Sequence, residues 1–366
     1  MKPEDLANAH IRTLEPYQGG RPIEEVEREL GIERAVKLAS NEAPVAPSPK
    51  VIEAIREAAA HVNRYPDGNC FYLKQALAAH LDVEPDWLFL GAGSDEILEV
   101  LAKSFLGPGA EAVFPWPGFA MYPIVTQGMG AEPVGVPLDD ALRVDVARLA
   151  EAVTERTRLL FLPNPNNPTG TSIGAAAFGE LLEAIPERVV IACDEAYLEY
   201  ARRDDFPDTL RALRERKTLL QLRTFSKIHG LAGLRIGFGI GHPSLIGILE
   251  RARHPFNVNS LAQVAALAAL DDAGHVERVR KLTHESLAQL ERGFDALGLA
   301  YAASDANFVL VRVGGNANDL AERLMRRGVI TRSMVGFGLS DYIRVTAGLP
   351  EENEQFLAAL RAERGS

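Results

Sequence analysis

Four short hydrophobic runs constrain the fold of this chain more than any other feature. They are Trp87-Leu88-Phe89-Leu90, Leu159-Leu160-Phe161-Leu162, Val189-Val190-Ile191-Ala192-Cys193 and Leu219-Leu220-Gln221-Leu222. A strand with one wet face alternates apolar and polar residues; runs that do not alternate are buried on both faces, as in a parallel sheet covered by helices. Segments of helical period lie between them, residues 175–185 for example, and supply the crossovers that parallel strands require. Ser48-Pro49 opens such a helix toward His61, with Ser48 as N-cap and proline in the first turn.

After Gly241 the texture changes. Helical patterns dominate residues 243–297, and a more antiparallel-looking stretch begins at Asn307-Phe308-Val309-Leu310-Val311. A helix over 318–327, strands over 329–332 and 342–346, and a last helix over 351–362 complete the pattern. The expected architecture is α/β, with a large domain of mostly parallel central sheet flanked by helices over 47–255. A smaller α+β domain covers 256–366. The N-terminal segment 1–46, with a short edge strand at Val36-Lys37-Leu38-Ala39, is expected to pack with the small domain.

Composition narrows the function classes. The chain has 366 residues, and 39 Lys+Arg against 50 Asp+Glu give a net charge of −11. An acidic balance without a basic cluster points away from nucleic acid and from anionic membranes. No apolar run approaches the roughly 20 residues that span a bilayer, and the first residues, Met1-Lys2-Pro3-Glu4-Asp5, lack the apolar stretch of a signal peptide. Two cysteines, Cys70 and Cys193, cannot build a disulfide framework and form no C-x-x-C zinc pair. A cytoplasmic location is expected, with no metal and no membrane partner.

The polar oddities fall where a parallel sheet binds ligands, outside the carboxyl ends of its strands. The four runs lead to Gly91-Ala92-Gly93-Ser94-Asp95, to Pro163-Asn164-Pro165-Asn166-Asn167-Pro168-Thr169-Gly170, to Asp194-Glu195-Ala196-Tyr197, and to Arg223-Thr224-Phe225-Ser226-Lys227. Glycines before a helix, with Ser94, offer N–H groups and a hydroxyl to a phosphate. Arg235, eight positions after Lys227, can grip the same phosphate, and Thr224 and Ser226 add hydroxyls. A lysine at the end of a buried strand suits a Schiff base with a carbonyl cofactor. A buried aspartate suits a protonated pyridine nitrogen. The set fits pyridoxal 5'-phosphate: Lys227 at the aldehyde, Asp194 at the ring nitrogen, Asn167 and Tyr197 at the ring hydroxyl.

Asn167-Pro168-Thr169-Gly170, Asp194-Glu195-Ala196-Tyr197 and Ser226-Lys227 with Arg235 resemble the signature of fold-type I pyridoxal-phosphate aminotransferases of class I/II. Lys37-Leu38-Ala39-Ser40-Asn41-Glu42 with Pro47-Ser48-Pro49, Arg64-Tyr65-Pro66-Asp67-Gly68, and Pro255-Phe256-Asn257-Val258-Asn259-Ser260 resemble the histidinol-phosphate aminotransferase branch. The likeness runs from about Tyr17 to the final helix. It implies a homodimer with shared active sites, in which Tyr65 reaches the partner's cofactor phosphate. It further implies that Phe119 stacks on the pyridine ring, that Asp95 lies among the cofactor contacts, and that Arg344 and Arg332, with Tyr17 and Asn167, hold the substrate. The chain departs from that pattern at Ala43-Pro44, at Ala46, at Tyr17-Gln18-Gly19-Gly20 and at His229. These changes fall toward the substrate entrance and leave the cofactor residues untouched.

The implied activity is transfer of an amino group from a small-molecule donor to a 2-oxo acid. L-Histidinol phosphate and 2-oxoglutarate are the first-choice pair, and imidazole-acetol phosphate and glutamate the products. An aromatic amino-acid aminotransferase on the same scaffold is the nearest alternative. A decarboxylase of phosphorylated amino acids and a non-catalytic cofactor-binding regulator are more distant ones. Cys193 is expected to be a small buried hydrophobe, and His229 a packing residue. Gly237-Phe238-Gly239-Ile240-Gly241 lacks the spacing of a dinucleotide loop.

Overall fold

The computed structural model describes residues 2–17 and 19–365. Met1, Gln18 and Ser366 lie outside the described residues, so the 17–20 element is seen without its second member. The strands are β1 (Val36–Lys37), β2 (Leu88–Gly91), β3 (Glu111–Trp116), β4 (Glu132–Pro137), β5 (Thr157–Pro163) and β6 (Val190–Asp194). They continue with β7 (Leu219–Thr224), β8 (Gly237–Gly241), β9 (Phe308–Arg312), β10 (Val329–Ile330), β11 (Arg332–Ser333) and β12 (Tyr342–Thr346). Seven form the main sheet, in the order β2-β8-β7-β6-β5-β3-β4. Only β8 runs against its neighbours, β2 and β7; the other pairings are parallel.

The four apolar runs are four of these strands. Leu159, Leu160, Phe161 and Leu162 in β5 are fully buried, with helices covering both faces of the sheet. Each such side chain is worth about 1.5–3 kcal/mol of burial. Three strands are not announced by an apolar run. In β4 every position but Val136 is exposed or half-exposed and Pro133 and Pro137 interrupt it, which an edge strand tolerates. In β3 the run is broken by Pro115. In β8 the glycines have a steric reason: a Cβ on Gly237 would stand 2.7 Å from the Ser94 backbone nitrogen and 2.9 Å from the Arg223 carbonyl oxygen. The Gly-rich segment is therefore an inner strand that lets the helix Ser94–Phe105 approach the sheet edge closely.

The second core is formed by β9, β10 and β12 with the helices Ala273–Ala296, Ala317–Arg326 and Pro350–Arg364, and it takes in Val36 and Leu38. The strand expected over 329–332 divides at Thr331. Val329–Ile330 pairs in parallel with Val36–Lys37, and Arg332–Ser333 pairs antiparallel with β12. The N-terminal strand is thus an edge of this small pairing and not of the main sheet. Helix Ser260–Leu270, drawn in sequence with the small domain, buries Ala262, Ala265, Ala266 and Ala269 in the same core as Val51, Leu73 and Leu77. Its alanines permit close approach to the helix Pro49–Ala59, so its packing goes with the large domain.

Candidate active site

The C-terminal ends of β5, β6 and β7 and the N-terminus of helix Ser94–Phe105 open on one cavity of about 300 Å³. The second core closes it with Arg332 and Arg344, and the N-terminal segment closes it with Tyr17 and residues 39–42. Ser94, Asp95, Phe119, Asn167, Asp194, Tyr197, Thr224, Ser226, Lys227 and Arg235 line the rest. Every site residue expected from sequence is brought to this cavity except Tyr65.

Around the helix N-terminus the cavity collects hydrogen-bond donors. Gly93 has φ +80°, and a Cβ there would meet the Arg235 guanidinium at 2.7 Å. Glycine at this turn lets the arginine lie against the first N–H groups of the helix, where the helix dipole and unpaired donors favour negative charge. Arg235 Nη2 rests 3.1 Å from Asp95 Oδ2, both side chains being nearly half exposed. The Thr224 hydroxyl accepts from the Ser226 N–H at 3.1 Å, which fixes the loop between β7 and Lys227.

The middle carries the titrating groups. Asp194 is 6 % exposed. Its Oδ2 accepts from the Tyr122 hydroxyl at 2.9 Å, and its Oδ1 accepts from the Ala196 N–H at 3.3 Å. Both partners are neutral, and burial pushes the carboxyl up to about 6 against the pull of those bonds. Lys227, lining the same cavity, offsets part of that shift, and a cation bound against the carboxylate would offset more. Lys227 Nζ lies 5.4 Å from the centre of the Tyr197 ring. Phe119 meets Tyr122 edge-on, with ring centres 5.7 Å apart.

The far end is again anionic in preference. Register places Arg332 opposite Arg344 on adjacent strands. Arg344 Nη1 donates to Asn167 Oδ1 at 2.5 Å and Nη2 to the Ala39 carbonyl at 2.7 Å, while Nε is buried without a partner. Burial is the main cause that lowers the Arg344 guanidinium to about 10, with Tyr197 opposing and Arg332 adding to it. Asn167 therefore spends its carbonyl on the arginine.

Tyr65 lies outside this cavity. It is 83 % exposed and stacks on Phe256 at 4.7 Å. Sequence reasoning missed Tyr122 and gave Asn41 no role; both line the cavity. Tyr122 stands three positions after Phe119 at the start of helix Met121–Gly128, one turn on, and that spacing is the signal that could have found it. His229 packs on Phe225 at 4.9 Å, and burial lowers it to about 4, so it is neutral at pH 7. Cys193 is fully buried, its Sγ 3.4 Å from Glu195 Oε1. Among the described residues no cluster of His, Cys, Asp and Glu could hold a metal, and no helix is long and apolar enough to cross a membrane.

Pyridoxal phosphate fits these residues. The buried carboxylate, whose hydrogen-bond partners are neutral, matches a protonated ring nitrogen, the helix N-terminus with Arg235 matches the phosphate, and Lys227 opens into the same space.

Comparison with known proteins agrees with that donor set. The family model for class I and II aminotransferases matches residues 33–360. A histidinol-phosphate aminotransferase of Moorella thermoacetica is 46 % identical over 352 residues, covering 96 % of this chain and 91 % of its own. A histidinol-phosphate aminotransferase 2 of Pseudomonas aeruginosa is 46 % identical over 97 % of this chain and 96 % of its own. The solved histidinol-phosphate aminotransferase of Sinorhizobium meliloti, in complex with pyridoxal-5'-phosphate, superposes with TM-score 0.90 at 31 % identity, covering 98 % of each chain.

Proposed function

The chain belongs to the class I and II aminotransferases, a pyridoxal-phosphate-dependent family, and we propose that it transfers the amino group of L-histidinol phosphate to 2-oxoglutarate. The observation that carries this choice is the pairing of Arg332 and Arg344 on adjacent strands, both lining the cavity. Two guanidinium groups at one site suit a phosphate dianion better than a lone carboxylate. The 46 % identical relatives that carry the same substrate in their names support it.

Bound pyridoxal phosphate supplies the carbonyl that receives the amino group and the ring that takes up the electrons released at the substrate's α-carbon. Ser94, Thr224, Ser226 and Arg235 hold its phosphate, with Asp95 holding Arg235 in line. Asp194 keeps a proton on the ring nitrogen, and Asn167 and Tyr197 donate to the ring hydroxyl. Phe119 covers one face and excludes water. Lys227, as a free amine, would move the proton between the substrate's α-carbon and the cofactor's C4′ as general acid and base. Arg344, Arg332 and Tyr17 orient the substrate so that its Cα–H faces that amine.

The working unit is a homodimer in the cytoplasm. Tyr65, exposed on its own chain and backed by Phe256, completes the phosphate site of the partner. The decisive measurement compares kcat/KM for L-histidinol phosphate with that for L-phenylalanine, with 2-oxoglutarate as acceptor. A preference of at least a hundredfold for the phosphate ester is expected. Equal or reversed preference would overturn the assignment in favour of an aromatic amino-acid aminotransferase.

A further inference from the structure

Asn41 is 2 % exposed and adopts φ +55°, a backbone region that asparagine enters more readily than most side chains. Three parts of the chain hold it there. Its N–H donates to Thr346 Oγ1 at 3.0 Å, and its carbonyl accepts from Asn307 Nδ2 at 3.1 Å. Its side-chain oxygen lies 3.2 Å from the same Thr346 hydroxyl, and Nδ2 lies 3.0 Å from the Tyr197 hydroxyl.

These contacts fix which way the amide faces. Thr346 Oγ1 already accepts from the Asn41 N–H, so its own hydrogen needs an acceptor, and Asn41 Oδ1 is the one at hand. Nδ2 is thereby assigned to Tyr197. Asn41 donates, the phenolic oxygen accepts, and the Tyr197 O–H hydrogen is left to point elsewhere. Tyr197 lines the cavity beside Lys227.

We propose that Asn41 is a positioning residue: by donating to Tyr197 Oη it turns the phenolic hydrogen into the cavity, and so makes Tyr197 a donor to the cofactor. The inference rests on the pyridoxal-phosphate reading of the site but not on the identity of the substrate. It also ties cofactor contact to the second core. The amide is set by Thr346 on β12, and the backbone that carries it is held by Asn307 beside β9, so Tyr197 is aimed only when the N-terminal segment is seated on the second core.

Asn41→Asp tests this with little change of shape. A carboxylate cannot donate, so it would draw the Tyr197 hydrogen away from the cavity. Asn41→Gly is the companion, keeping the positive φ while removing the donor. Both are made in wild type and in Tyr197→Phe, and read by pyridoxal phosphate affinity of the apoprotein and by the pH midpoint of the visible absorbance of the loaded protein. In wild type each should weaken cofactor binding about tenfold, and Asn41→Asp should move the absorbance midpoint. In Tyr197→Phe neither should have a further effect, because interacting residues are non-additive.

The inference is overturned if Asn41→Asp and Asn41→Gly bind cofactor like wild type. Losses equally large in Tyr197→Phe overturn it too, since Asn41 would then act only as a structural tie. Normal cofactor uptake and absorbance in a wild-type protein inert toward L-histidinol phosphate would sink the substrate assignment alone.

Discussion

Tyr122 donates its hydroxyl to Asp194 Oδ2 across 2.9 Å, and the donor ring lies flat against Phe161, with 4.9 Å between centres and 6° between planes. Tyr122 is fully buried and Asp194 nearly so, and little water competes for this bond. Tyr122 thus fixes the rotamer of the acid that faces the ring nitrogen.

Tyr122→Phe keeps the stacking and deletes the bond. Loss of a hydrogen bond to a buried charged group costs about 1–3 kcal/mol, and here the loss falls on the group that must stay ionised. We expect kcat about tenfold lower with a smaller change in KM for the amino donor. Steady-state kinetics with saturating cofactor check it; an unchanged kcat would show that Asp194 is held by other contacts.

The raised carboxyl of Asp194 makes a stability prediction for the apoprotein. Its folded-state value of about 6 lies above the ordinary 3.8, so folding favours the protonated form. Below about pH 4 both states are protonated and there is no penalty; as pH rises through 6 the folded apoprotein must ionise a buried group. The full cost, up to about 3 kcal/mol, is present above pH 6. Asp194→Asn should therefore raise the apoprotein's Tm at pH 8, with the gain fading toward pH 4. The same variant should bind pyridoxal phosphate far more weakly. Equal Tm for the two apoproteins at pH 8 would contradict the burial argument.

How far the sequence announced this site follows from where its signals reside. Lys227, Asp194 and Asn167 each stand just beyond an apolar run, so the strand pattern located them and the sheet rule brought them together. Tyr122 and Asn41 were not legible in that way. Their contacts join residues 72 and 156 positions apart, and nothing local to either marks the partner. The same limit explains β10 and β11, read as one strand. Their division is set by two different neighbours, Val36–Lys37 and Tyr342–Thr346, rather than by the residues of 329–333 themselves. In β8 glycines weakened the strand signal for a reason that appears only once the helix at Ser94 is in place.

That close approach can be tested at Gly237. The three atoms nearest a methyl group there are all backbone, at 2.7 Å for the Ser94 nitrogen and 2.9 Å for Gly93 C and Arg223 O. Backbone cannot swing aside as a flexible side chain can, so Gly237→Ala must displace the helix N-terminus, at a cost of about 1–3 kcal/mol. Cofactor binding should separate two ligands. Pyridoxal phosphate, held through its phosphate, should lose at least tenfold in affinity, whereas pyridoxal should lose much less. Equal losses for both would place the damage elsewhere than the phosphate site.

His229 sets the acid side of the stability profile. Burial holds its folded value near 4, below the ordinary 6.5, with Glu199 opposing the shift and Arg223 adding to it. Above pH 6.5 the ring is neutral in both folded and unfolded chains and costs nothing. Between 6.5 and 4 the unfolded chain takes up a proton that the folded chain refuses, and stability falls by about 2 kcal/mol on reaching pH 5. His229→Phe cannot titrate, and a neighbouring cavity of about 450 Å³, lined in part by Phe225, Phe238 and His229 itself, has room for the larger ring. The variant's Tm, compared with wild type, should gain several degrees on moving from pH 8 to pH 5, while transamination at pH 8 is unchanged. Parallel Tm curves across that range would mean that His229 takes up its proton as readily in the folded protein as in the unfolded chain, and a loss of turnover at pH 8 would make it more than a packing residue.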